Sequence, residues 1–129
     1  MDDKNKRFSF RNRLNSFKYA FCGLKVLLKE EHNARIHLVI SITVCVLGFI
    51  LNISPIEWIA ILIFIALVIG MEIMNSAIER ICDFISPEWN RKIKPIKDLA
   101  SAAVLLATFL AVICGSIIFI PKFYALLFV

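Results

Sequence analysis

Polar and apolar positions fall in long blocks along this chain, and the blocks predict helices. Residues 1–9 are polar and charged and are expected to fray. From Phe10 the pattern becomes helical: Leu14, Phe17, Phe21 and Leu24 recur at steps of three, four and three, one apolar face of a helix. Arg11, Arg13, Lys18, Lys25 and Lys29 flank that face. Residues 10–29 therefore predict an amphipathic helix lying among lipid headgroups; a soluble helix packed on the rest of the protein would carry the same pattern. A polar island follows, KEEHNARIH at 29–37, readable as an interfacial cap with acids at a helix start.

Three apolar runs come next. Residues 36–53 make the first span, its length of about 18 residues being short but sufficient for a hydrocarbon core of ~30 Å. Asn52, Ser54 and Pro55 end it in a tight hairpin. The second span is 56–74, with Trp58 at its start as an interfacial aromatic. No Gly or Pro intervenes between Met71 and Ser86, so this helix is expected to run on to about residue 85, out of the apolar zone, until Ser86-Pro87 ends it. A basic loop, SPEWNRKIKPIKD (86–98), leads to the third span, 99–120, closed by Pro121-Lys122. Ala103, Ala107, Ala111 and Gly115 form a small-residue stripe on it, suited to close helix packing in lipid.

Composition agrees with these blocks. The 129 residues suffice for one domain. With 60% hydrophobic residues and a mean hydropathy of +0.80, the chain is too apolar for a soluble domain of this size. Its net charge of +5 sits beside the apolar spans, which favours anionic headgroups or a phosphorylated substrate over nucleic acid. No signal peptide is expected, since the first apolar run comes late and lacks a cleavage site. Cys22, Cys45, Cys82 and Cys114 show no CxxC or zinc spacing, lie in or beside apolar helices, and read as buried free thiols. Nine Lys or Arg precede the first span and five lie between Arg80 and the third, against none in the hairpin loop and one in the C-terminal tail. The positive-inside rule puts the N-terminus and second loop in the cytoplasm.

That topology brings the charged islands to one rim. Within GMEIMNSAIERICD (70–83), Glu72, Asn75, Glu79 and Asp83 are spaced three, four and four, which on an α-helix confines them to roughly 80° of arc. Glu31, Lys97 and Asp98 fall on the same side. Acids on a membrane helix are costly and tend to be functional; solvated acids on a protruding helix are the alternative for Glu79 and Asp83, and a helix-start salt bridge for Lys97 and Asp98. Several carboxylates with a lysine suit a magnesium–phosphate site, because Mg²⁺ takes one or two carboxylates plus substrate phosphates. Glu72 is the deeper acid, a candidate general base; Glu79 is shallower, where a metal–nucleotide complex would arrive, and Asn75 between them could orient either. The sequence contains no GxxxxGK[ST] or GxGxxG, so a nucleotide must be held by side chains rather than by a glycine-rich cradle.

EIMNSAIERICD (72–83) followed by KDLASAAVLLA (97–107) resembles the signature of the small prokaryotic integral-membrane lipid kinases, the bacterial diacylglycerol kinases and undecaprenol kinases. SFKYAFCGLK (16–25), EEHNARIHL (30–38) and the late FIPK extend the resemblance over most of the chain. It implies an all-α membrane protein with a surface helix, three transmembrane helices, and a homotrimer with active sites shared between neighbouring subunits at the cytoplasmic surface of the inner membrane. It implies ATP as co-substrate and Mg²⁺ as cofactor. By motif, Glu72 matches the catalytic base, with Asn75 in the same core; Glu31 and Glu79 match metal ligands. Tyr19, Glu88, Trp89, Asn90, Lys97 and Asp98 match nucleotide contacts, and Arg35 and Ser101 match lipid contacts. Asn12, flanked by Arg11 and Arg13, stands where the diacylglycerol kinases carry a basic nucleotide contact; EWN replaces EYH; and His37 replaces an acid. RIH at 35–37 looks more like the undecaprenol kinase branch.

The expectation is thus an ATP-dependent kinase of a membrane alcohol, undecaprenol ahead of diacylglycerol. A non-catalytic ion-conducting oligomer is the rival from another class, disfavoured because the acids gather at one rim and the span midpoints carry none. A pure membrane adaptor would leave Glu72 without a purpose.

Overall fold

A computed structural model describes residues 9–128. Apart from Ser9, the segment expected to fray lies outside the described residues. The described chain forms helices α1 (Phe10–Glu30), α2 (His32–Ile50), α3 (Pro55–Ile85) and α4 (Lys94–Phe128). The last three are long and apolar enough to cross a membrane.

Each junction has a local cause. The chain bends between α1 and α2 at Glu31 alone, whose backbone is extended (φ −98°, ψ 114°). Between α2 and α3, Asn52 takes the left-handed conformation (φ 48°), which asparagine tolerates better than most residues. Ser54 then caps α3 reciprocally with Glu57: the Ser54 N–H donates to Glu57 Oε2 at 2.6 Å and the Glu57 N–H donates to Ser54 Oγ at 3.3 Å. Pro55 opens the helix, where its missing N–H costs nothing. At the far end Ser86 leaves helical geometry (φ −143°, ψ 86°) before Pro87.

α4 extends beyond the 99–120 apolar run at both ends. Pro95 lies in its first turn, where it is tolerated, so the loop between α3 and α4 is shorter than residues 86–98. Pro121 lies inside the helix rather than ending it. A mid-helix proline costs ~3 kcal/mol; the continued helix holds Lys122 against Glu57 of α3 at 3.2 Å.

α3 packs mainly on α4, while α2 touches α3 and stays apart from α4. The apolar core of Ile53, Ile61, Ile118 and Phe119 sits near the α2–α3 hairpin. At the opposite end the contacts are polar. Between α2 and α4, with α3 as floor, an apolar groove of about 380 Å³ begins at His37 and reaches Phe123. The small-residue stripe divides accordingly: Ala107 is buried, whereas Ala111 and Gly115 line the groove. The cysteines are free thiols, but of the four only Cys82 is buried; Cys45 and Cys114 are half-buried, and Cys22 is exposed on α1, which packs little on the other helices.

Candidate functional site

Glu72 is the buried acid of the membrane helices, 3% exposed. Its Oε1 lies 3.2 Å from His37 Nε2 on α2. One turn further along α3, Ser76 is equally buried, and its hydroxyl donates to Glu31 Oε1 at 3.0 Å. The bend at Glu31 is what turns that carboxylate back onto α3. Another turn on, Arg80 donates to Glu30 at 2.6 Å and approaches Glu31 at 4.0 Å. Glu30 and Glu31 are thus tied to α3 by two donors on successive turns.

Asn75 and Glu79 complete the cluster. Asn75 Nδ2 donates to Glu79 Oε1 at 3.4 Å, a long bond, and Asn75 Oδ1 is buried with no partner among the described residues. A buried acceptor lacking a donor is costly, and here it stands beside a carboxylate. Asn75 Oδ1, Glu79 and Glu31 together offer hard oxygen donors. No group of three or more ligating side chains is preassembled among the described residues. Carboxylate and amide oxygens are the donor type that Mg²⁺ takes, a few of them beside waters and substrate phosphates.

A second concavity adjoins this rim. About 320 Å³ is enclosed by Asp83, the loop residues Ser86 to Asn90, and Ile93, Lys94, Lys97 and Asp98. The loop is shaped locally: Ser86 Oγ donates to the Glu88 carbonyl at 3.1 Å, and Asn90 Oδ1 accepts from the Lys92 N–H at 2.8 Å. Trp89 stays 78% exposed. Lys97 pairs with Asp83 at 2.9 Å, joining α3 to α4, and Asp98 pairs with Lys94 at 2.7 Å. The two residues read as a possible mutual salt bridge each have another partner.

The structure therefore gathers Glu31, Glu72, Asn75 and Glu79 around one stretch of α3, and Glu88, Trp89, Asn90, Lys97 and Asp98 around the neighbouring recess. Tyr19 on α1, Arg35 on α2 and Ser101 on α4 are exposed and line neither. The sequence reading assigned nothing to Ser76 or Arg80, and treated His37 only as a departure. Ser76 had a usable signal, since it lies one turn from Glu72 on the acid-bearing stretch; Arg80 and His37 find their partners only through the fold.

The model of the prokaryotic diacylglycerol kinase family matches residues 18–119. The chain is similar to the undecaprenol kinase of Bacillus subtilis, 32% identical over 95% of this chain and 99% of that protein. It is also similar to the diacylglycerol kinases of Synechocystis, 31% identical over 90% of this chain and 67% of that protein, and of Escherichia coli K12, 31% identical over 88% and 93%.

Proposed function

This chain belongs to the prokaryotic diacylglycerol kinase family and is a lipid kinase, and on that premise we propose that it transfers the γ-phosphoryl group of ATP to undecaprenol at the cytoplasmic face of a bacterial inner membrane. The observation that carries the chemistry is Glu72: a buried carboxylate 3.2 Å from His37, which lines the head of an apolar groove, on a helix that continues into a polar rim. In this reading Glu72 takes the proton of the lipid hydroxyl, the freed oxygen attacks the γ-phosphorus in line, and ADP leaves. Lys97, Asp98 and the Glu88–Asn90 loop hold the nucleotide in the neighbouring recess, and Tyr19, which does not line that recess within one chain, is a further nucleotide contact in this reading. Arg35 and Ser101 contact the lipid.

Glu31 and Glu79 would hold Mg²⁺, with Asn75 Oδ1 beside them, and the ion would supply positive charge against the phosphate oxygens. Ser76 and Arg80 keep Glu31 in reach of that position. Undecaprenol is preferred because the undecaprenol kinase match spans nearly the whole of both chains and the RIH stretch is of that type. Diacylglycerol is the second reading, favoured by the several relatives that bear its name. A homotrimer is part of the proposal: a single chain leaves most of its span surface bare, and neighbouring copies would cover part of it and share the rim.

Radiolabel transfer from ATP into a panel of lipid alcohols tests the reading. Label should enter C55 undecaprenol faster than diacylglycerol in the same micelles, and Glu72→Gln should nearly abolish both while Mg-ATP still binds. Full turnover in that variant would remove Glu72 as base, and faster labelling of diacylglycerol would reverse the substrate order. Ion flux in liposomes without ATP consumption would favour the ion-conducting oligomer.

A further inference from the structure

Among the described residues, the buried carboxylate of Glu72 has one polar partner, and it is His37. His37 Nε2 lies 3.2 Å from Glu72 Oε1, within reach for an Nε2–H to donate to the ionised carboxylate, which only accepts hydrogen bonds. The ring belongs to α2 and the carboxylate to α3, so the contact crosses between helices. Glu72 carries a flexible stem; without a donor its carboxylate would have to rotate in search of one or stay unsolvated. His37 also lines the head of the apolar groove, next to Ile40 and across from Val68 and Thr108. The same ring therefore touches the acid and the apolar space from which a lipid tail would present its hydroxyl.

We propose that His37 is a positioning residue for phosphoryl transfer: its Nε2–H holds the Glu72 carboxylate at the head of the groove between α2, α3 and α4, with one oxygen tied and the other left for the lipid hydroxyl. This rests on the reading of Glu72 as base. The histidine is not itself the group that takes the substrate proton. Its contribution is orientation, since a base displaced by a fraction of an ångström loses its alignment with the hydroxyl. The two groups already stand 3.2 Å apart in the free protein, and removing the imidazole should lower kcat and leave nucleotide binding alone.

Four variants of the full chain in detergent micelles test this, each assayed for label transfer to undecaprenol and to diacylglycerol. His37→Leu removes the donor and keeps bulk. His37→Gln puts an amide nitrogen near the place of Nε2, and His37→Asn carries the same amide on a stem too short to reach Glu72. Glu72→Gln is the reference. His37→Leu and His37→Asn should each lose about tenfold to a hundredfold in kcat, the worth of a hydrogen bond to a charged group. KM for Mg-ATP should stay within about twofold, and His37→Gln should recover most of the loss. If the leucine variant fails to fold, the glutamine–asparagine comparison still decides. Wild-type kcat in His37→Asn, or equal damage in the glutamine and asparagine variants, overturns the proposal. Glu72→Gln inactive with every histidine variant unimpaired defeats the positioning role alone. Glu72→Gln active, with His37→Leu inactive, defeats the base assignment and exchanges the two roles.

Discussion

Ser76 shows how much of the rim depends on one small hydroxyl. It is buried and donates to Glu31 at 3.0 Å, so alanine there would leave a half-buried carboxylate oxygen without its donor. Residues that orient a metal ligand in this way commonly change metal affinity by about 10–100-fold when removed. Ser76→Ala should therefore raise the Mg²⁺ concentration needed for half-maximal turnover by about tenfold, with lipid KM unchanged, as read from a magnesium titration of the transfer assay. Arg80→Ala should behave differently. Both members of its pair with Glu30 are about half exposed, and such pairs contribute ~0.2–1 kcal/mol. The thermal midpoint should barely move, and any loss of activity should shrink at high salt. At this scale the acids were legible in the sequence because four polar side chains on one arc of an apolar helix stand out. Their partners were not: Ser76 meets Glu31 across 45 positions, and only the bend at Glu31 makes the meeting possible.

Helices are the best-read level of this chain, because long apolar runs mark the spans and apolar periodicity marks the face of α1. Ser86-Pro87 ends α3 where expected, but the ends beside Pro95 and Pro121 were read less well. Pro121 resembles a stop signal, yet α4 runs on to Phe128, and Lys122 just beyond it pairs with Glu57 of α3 at 3.2 Å. The hairpin end offers a sharper test of packing. A methyl group added at Gly48 would meet the Trp58 ring at 2.9 Å and Ile53 Cδ1 at 3.1 Å, and Trp58 is itself stacked at a tilt on Phe49 with centroids 4.7 Å apart. The ring has to move, and overpacking of this kind costs ~1–3 kcal/mol. Gly48→Ala should lower the thermal unfolding midpoint in detergent. Gly115→Ala, where nothing lies within 4 Å of the added carbon, should leave it unchanged. Equal midpoints for the two variants would contradict the close approach of Trp58 to α2.

Taken whole, the chain is asymmetric along its long axis. One end holds the apolar core at the α2–α3 hairpin; the other holds the polar cluster, the recess and most of the positive charge. Basic residues resist translocation, so the end bearing α1 and the α3–α4 loop should face the cytoplasm, where ATP is available. The inference is independent of the kinase chemistry and can be checked separately. In a background with Cys22, Cys45, Cys82 and Cys114 replaced, single cysteines at Ile56 and at Arg91 report the two ends, both being exposed positions. A membrane-impermeant thiol reagent added to intact spheroplasts should label Ile56→Cys and spare Arg91→Cys, and lysis should expose the second. Replacing Arg80, Arg91 and Lys92 by neutral residues lowers the loop count from five to two, and should produce partial labelling at position 91 before lysis. Labelling of Arg91→Cys in intact cells with the other four loop charges present would invert the chain and put the rim on the side without ATP. That outcome would be incompatible with the proposed reaction whatever the geometry of Glu72.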